Sequence, residues 1–209
     1  MSNYETPQEE FWAGNFGDEY IGRNQGDELL SQNLKFFTTA LKQSVDIKSC
    51  LELGANVGMN LRALELLSPG IDLDAVEINP GAAQILRDFI GKEKVFEGSI
   101  FDFPCDKKYD LVLIKTVLIH INPEMLDAVY EKLYKASNKY VLICEYYNPT
   151  PVTVNYRGQD DRLFKRDFAG EMLDKYNELK LVDYGFTYNR STSMLDDITW
   201  FLLEKTTSF

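Results

Sequence analysis

Four titratable side chains are placed where they could do chemistry. Glu52 stands at the end of the apolar run "KSCLEL", directly before the turn "GANVGMN". Glu77 stands at the end of a second run, "DLDAVEI", twenty-five residues later. His120, the only histidine, follows "YDLVLIKTVLI", and Glu145 ends "KYVLICE". The Glu77 spacing is close to that of a ribose-binding acid, whose carboxylate accepts bonds from both hydroxyls. The competing reading is an acid that borders a helix N-terminus, where negative charge is also favoured. Glu52 suits a cationic amino group. His120 titrates near neutrality and suits a general base, or its ring packs structurally at a helix entry. Glu145 is a second candidate base, or a capped and solvated strand end.

The turn that joins these groups explains its own residues. Gly54 permits a sharp turn after a strand, and Gly58 permits close packing at the start of the next helix. A dinucleotide-binding loop would carry another glycine at Asn56. Asparagine tolerates left-handed backbone angles better than other side-chain-bearing residues, so the loop keeps its shape. Its bulk disfavours a pyrophosphate, which needs close backbone approach there.

The elements that hold these residues alternate. Leu30, Leu34, Phe37 and Leu41 are spaced for a helix over residues 27–44. "KSCLEL", "DLDAVEI", "KVFEGS", "YDLVLIK" and "KYVLICEYY" read as strands. Between them lie the helical segments "GMNLRALELL", "NPGAAQILRDFIG" and "NPEMLDAVYEKLYKAS", two of them opened by Asn-Pro. A polar loop spans about 148–166, then "DFAGEMLDKY" reads as a short helix. "LKLVDYGFTYN" and "DITWFLLEK" are too close together for an intervening helix and predict an antiparallel hairpin. The expected architecture is α/β: a mostly parallel, seven-stranded, Rossmann-like sheet with helices on both faces and a C-terminal antiparallel hairpin.

Bulk properties narrow the function. The 209 residues suffice for one sizeable domain, and 44% hydrophobic content can supply its core. A net charge of -11 repels polyanions, so a nucleic acid partner is not expected. Cys50, Cys105 and Cys144 form no CxxC pair and read as reduced residues of a cytoplasmic protein. With one histidine and no Cys/His cluster, no metal site is expected. The N-terminus has no signal-peptide pattern, and no apolar stretch is long enough to cross a membrane, so no membrane partner is expected. Nothing in the sequence fixes an oligomeric state.

Taken in order, "ELGANVG", "DAVEINP", "FEGSIFDFP", "YDLVLIKTVLIHIN" and the terminal hairpin resemble the class I S-adenosylmethionine-dependent methyltransferases, over roughly residues 27–205. The resemblance implies S-adenosylmethionine as cofactor and S-adenosylhomocysteine as product. It puts Glu52, Gly54, Asn56 and Gly58 at the methionine end, with Lys115 beside them, and Glu77 with Ile78 at the ribose. It puts Ser99 and Ile100 at the adenine. Ser99 stands where that family often has Asp. Asp102 is an alternative, or only a turn residue. The resemblance places His120 and Glu145 at the reaction site. A cofactor-binding protein without catalysis, and a nicotinamide-dependent oxidoreductase, stay open as other readings.

Two segments concern the substrate. Residues 1–25 read as an irregular arm before the domain of residues 26–209. The arm carries Phe11, Trp12, Phe16 and Tyr20 among several glycines, with Arg23. Such a segment must pack on the domain or on a ligand, and its position suits a lid. The loop "NYRGQDDRLFKRDF" concentrates Arg157, Arg162, Lys165 and Arg166 in an acidic chain, a set suited to an anionic small molecule or, equally, to pairing with neighbouring Asp residues. The arm, "LELGANVGMNL", "VEINP" and "KTVLIHINPEML" further resemble the pseudaminic-acid-biosynthesis-associated methyltransferases. That narrower resemblance implies an acidic sugar or sugar nucleotide as acceptor. Tyr20 and Arg23 of the arm, Tyr147 at the end of the fifth strand, and Arg157 and Arg162 of the basic loop are the candidate substrate contacts.

Overall fold

A computed structural model describes residues 4–23, 25–155, 163–191 and 196–206. Apolar side chains alternate along the central strands. In β4 (Tyr109–Lys115), Leu111 and Leu113 face one layer, and Val112 and Ile114 face the other. A strand buried on both faces needs a helical cover on each. On the first face lie α3 (Asp27–Ala40), α4 (Met59–Leu67) and α5 (Pro80–Ile90), which supply Phe36, Phe37, Leu61, Leu64 and Leu86. On the second lie α6 (Leu126–Ala136) and α7 (Phe168–Lys175), which supply Val129, Leu133 and Met172.

The remaining strands of the main sheet are β1 (Ser49–Leu53), β2 (Asp72–Glu77), β3 (Val95–Glu97), β5 (Ser137–Glu145), β8 (Leu179–Thr187) and β9 (Ile198–Lys205). Their order is β3-β2-β1-β4-β5-β9-β8. β1 pairs in parallel with both β2 and β4, so the strand order reverses at β1. An open sheet of this kind leaves a crevice at the carboxyl ends of its strands at that point. β9 runs antiparallel to β5 and to β8, as the two closing segments predict.

Three expectations are corrected. The arm is not irregular: residues 4–23 contain α1 (Pro7–Ala13) and α2 (Asn15–Ile21). A capping box opens α1. The Glu9 N–H donates to Thr6 Oγ1, and Glu9 Oε2 accepts the Thr6 N–H at 2.8 Å. α3 ends at Ala40 rather than near Ser44. The Thr38 and Thr39 hydroxyls there turn back onto the carbonyls of Leu34 and Lys35, a local bond that competes with helix continuation. The polar loop after β5 contains a two-stranded ribbon, β6 (Val152–Thr153) against β7 (Phe164–Lys165). Among the described residues, no helix is long and apolar enough to cross a membrane.

Candidate active site

The turn after β1 carries three left-handed residues: Gly54 at φ +77°, Asn56 at +49° and Gly58 at +79°. Asn56 therefore adopts the conformation its residue type predicts. The two glycines are also needed for space. A Cβ on Gly54 would lie 2.6 Å from Val117 Cγ2, and one on Gly58 would lie 2.8 Å from Leu86 Cδ2. The Gly54 and Ala55 N–H groups donate to the Val76 carbonyl at 2.9 and 3.1 Å, which ties the turn to β2.

Glu77 completes that tie. Its Oε2 accepts the Asn56 N–H at 2.7 Å, and its Oε1 accepts the Asn79 N–H at 2.8 Å. Burial raises its pKa; the backbone donors at Asn79, Asn56 and Ile78 act the other way. Asn79 caps α5, its Oδ1 accepting the Ala82 N–H at 2.9 Å. Its Nδ2 donates to Asp18 Oδ1 of α2 at 2.8 Å, so the arm is fastened to the same corner.

A cavity opens at this switch point. It is lined by Gly54 to Val57, Glu77, Ile78, Ser99 to Phe101 and Lys115 to Val117 from the sheet side. Thr6, Gln8, Glu9, Trp12, Gly17 and Tyr20 line it from the arm. His120 lines it too, 9% exposed, with its ring 4.8 Å from that of Trp12. Tyr20 stands edge-on to Trp12 at 5.2 Å. Thr116 holds φ +55°, unusual for a β-branched residue, at the end of β4 against this cavity.

Glu52 is fully buried behind the turn. Asn60 of α4 donates to its Oε1 at 2.6 Å, and Glu52 Oε2 meets no partner among the described residues. Burial pushes its pKa up to about 8; Glu77 adds to the rise, and Asn60 and Lys115 oppose it. Asn60 and Asn33 both line the cavity, and the Oδ1 of each is buried without a partner among the described residues. Buried acceptors left in this way are costly unless a ligand donor reaches them. Neither asparagine is singled out by motif. Asn33 did leave a signal, since it falls on the core-facing phase of α3 between Leu29 and Phe37. Thr6, Gln8 and Glu9 left none that periodicity could show, because their burial depends on where the arm docks.

Other expected residues lie elsewhere. Glu145 does not line the cavity. It is 2% exposed, and its Oε1 accepts the N–H groups of Val117 and Leu118, both at 2.9 Å. It is a buried acceptor for the turn that carries His120, not a solvated strand end. Tyr147 is 41% exposed and turns toward Phe201, with ring centroids 5.9 Å apart, because the chain leaves the sheet at that point. Arg23 is exposed past the end of α2 and does not line the cavity. Ser99 does line it, but its Oγ accepts the Phe101 N–H at 3.2 Å and caps the following turn. Asp102 is exposed, ends the short helix Ile100–Asp102 and does not line the cavity. Arg166 is bound to Glu171 at 2.6 Å, and Arg157 and Arg162 lie outside the described residues.

No protein-family model and no curated protein matches the sequence. Solved structures do match. Mitomycin 7-O-methyltransferase superposes with a TM-score of 0.68 at 14% identity, over 96% of this chain and 61% of that one. This chain thus spans about three fifths of that enzyme's length. The 1,6-didemethyltoxoflavin-N1-methyltransferase of Burkholderia thailandensis gives 0.70 at 12% identity, over 99% and 93%. That structure holds 1,6-didemethyltoxoflavin and S-adenosylhomocysteine. The N-methyltransferase NodS of Bradyrhizobium japonicum, with S-adenosylhomocysteine, gives 0.64 at 14% identity, over 90% and 97%. The fold of this chain is that of the Rossmann-like class I methyltransferases.

Proposed function

We propose that this chain is an S-adenosylmethionine-dependent methyltransferase acting on a small molecule. The observation that carries the reading is the cavity at the strand-order reversal, where the left-handed turn at Asn56 is held by Glu77 beside buried, unpartnered acceptor oxygens. The residues present fit that cofactor. Glu77 spends its acceptor sites on the backbone N–H groups of Asn56, Asn79 and Ile78 and retains capacity for a ribose hydroxyl. Asn60, held by Glu52, and Asn33 offer acceptors to an ammonium, and Lys115 offers a cation to a carboxylate. Ser99, Ile100 and Phe101 form an apolar and polar edge for a purine. When bound, the cofactor supplies an electrophilic methyl group on a sulfonium.

The chain's own part is alignment and proton removal. His120 takes the proton from the acceptor's nucleophilic atom at a ring nitrogen. Trp12 covers that ring and keeps water away from it. Residues 1–25 act as a lid, fastened through Asp18 and Asn79. Glu145 holds the Val117–Leu118 backbone and is a positioning residue. For location we propose the cytoplasm, supported by three cysteines that are free of disulfides.

For the acceptor we propose an acidic sugar or sugar nucleotide. The support is the sequence resemblance in the arm and the His120 segment, and the arginines at 157 and 162. Among the described residues Lys115 is the one Lys or Arg on the cavity wall, and it is already assigned to the cofactor's carboxylate, so recognition of an anionic acceptor falls to those arginines. Calorimetry with S-adenosylhomocysteine and with NAD tests the cofactor, and binding of NAD alone overturns it. Methyl transfer to acidic sugars tests the acceptor. Arg157→Ala and Arg162→Ala should raise KM without moving cofactor affinity, and an unchanged KM removes the anionic acceptor.

A further inference from the structure

The far edge of the sheet carries an aromatic row that the cavity does not use. β8 is nine residues long and ends the strand order, so among the described residues only β9 pairs with it. The pairing slips by one residue at Val182: Leu181 opposes Leu203, and Asp183 opposes Leu202. This bulge changes which side chains share a face. Without it Leu181 would share a face with Asp183. With it, Leu181 is in phase with Tyr184 and Phe186, which oppose Phe201 and Thr199. Asp183 goes to the other face, where it meets Lys42, in the turn just past α3, at 3.3 Å.

The result is an apolar row at a sheet edge. Leu181 is 45% exposed, Tyr184 64%, Phe186 59% and Tyr188 49%. The Tyr184 ring stacks on Phe201 at 6.3 Å, and the Phe186 ring on Tyr188 at 6.4 Å. With Tyr147 beside Phe201, these side chains present roughly 500 Å² of surface, given aromatic side chains of about 150–250 Å² each. A monomer's largest exposed patch seldom exceeds that size, and a standard interface buries about 800 Å² per partner. A nine-residue edge strand with exposed apolar side chains, bulged only at Val182, is also a template for another strand.

We propose that β8 and its aromatic row form the interface of a homodimer, with a second copy adding its own β8 antiparallel across a two-fold axis. Symmetry and charge favour a second copy. A strand edge pairs antiparallel with itself under two-fold symmetry, which closes both edges at once. Such an axis, normal to the sheet, sets each row on the same face as its mate, ring against ring. The chain carries a net charge of -11, which repels copies in most orientations. Residues 179–188 carry one lysine and one aspartate, so this stripe adds no net charge to that repulsion.

The test is the mass of the full chain in solution by light scattering or sedimentation, across a concentration series. The wild type should reach twice the chain mass and melt at higher temperature as concentration rises. Tyr184→Lys and Phe186→Lys should each halve the mass and remove the concentration dependence. Their far-ultraviolet dichroism should stay that of the wild type. A wild-type monomer throughout the series, an open-ended assembly, or a dimer that both folded lysine variants retain would overturn the proposal. Should one variant misfold, the other decides.

Discussion

The backbone N–H of Asn56 donates to a Glu77 carboxylate oxygen at 2.7 Å, and so binds the turn after β1 to the end of β2. These two residues are twenty-one positions apart and meet because β1 and β2 lie side by side, with Leu53 opposite Val76. The bond fixes the shape of the turn and the direction of the carboxylate together.

Glu77→Ala should therefore weaken both the fold and the site. It leaves the Asn56 and Asn79 N–H groups without an acceptor, at about 1–3 kcal/mol for each buried donor. S-Adenosylhomocysteine binding should fall at least tenfold by calorimetry. Asn56→Gly should keep that affinity within about twofold, since glycine accepts φ +49° without strain. Asn56→Val should lose stability by about 1–2 kcal/mol in a thermal melt, because a β-branched side chain resists that angle.

Glu145 gives a prediction about pH. Burial pushes its carboxyl up to about 8 from an ordinary 4.5, against the opposing effect of the backbone donors and Lys115. Between those values the folded chain holds a proton that the unfolded chain has lost. This contribution to stability is complete below pH 4.5 and is lost as pH rises through 8. The slope is at most about 1.4 kcal/mol per pH unit. Glu145→Gln, neutral throughout, should flatten it while retaining an acceptor for Val117 and Leu118. Turnover in Glu145→Gln should stay near wild type; a fall of a hundredfold with an intact fold would return Glu145 to the role of base.

Glu52 should make cofactor affinity depend on pH. Its carboxyl, raised to about 8 chiefly by burial, is neutral in the free protein at pH 7. A ligand ammonium held by Asn60, which Glu52 backs, favours the Glu52 carboxylate and expels that proton. Affinity for S-adenosylhomocysteine should rise as pH approaches 8 and level off above it. Calorimetry in two buffers of different ionisation heat should register the released proton. Glu52→Gln should bind more weakly and release none. Equal heats in both buffers for the wild type would contradict the assignment.

His120 and Trp12 separate chemistry from enclosure. His120→Ala should lower kcat by about a hundredfold or more, as loss of a general base does, and leave S-adenosylhomocysteine affinity within about twofold. Trp12→Ala should weaken cofactor and acceptor together, because it opens the wall over the His120 ring at 4.8 Å. Unchanged kcat in His120→Ala would leave the histidine a packing role only.

The sequence by itself determined what local periodicity and backbone freedom control. Apolar runs near the strand period and helical spacings gave the seven-stranded order of elements and the closing hairpin. The residue type at position 56 gave the left-handed turn, since no distant contact is needed to favour it. Tertiary structure decided what depends on burial and long-range contact. Glu145 reads as a strand end in the chain, but in the fold it is sealed beneath Val117 and Leu118. Asn33 and Asn60 reach one cavity from two helices, and no spacing rule links them. The arm's glycines suggest an irregular segment, yet docking on Asn79 and His120 lets two short helices form there. A single bulge at Val182 decides which face carries Tyr184 and Phe186. In each case the deciding energy is desolvation or packing against residues remote in sequence, which a local pattern does not contain.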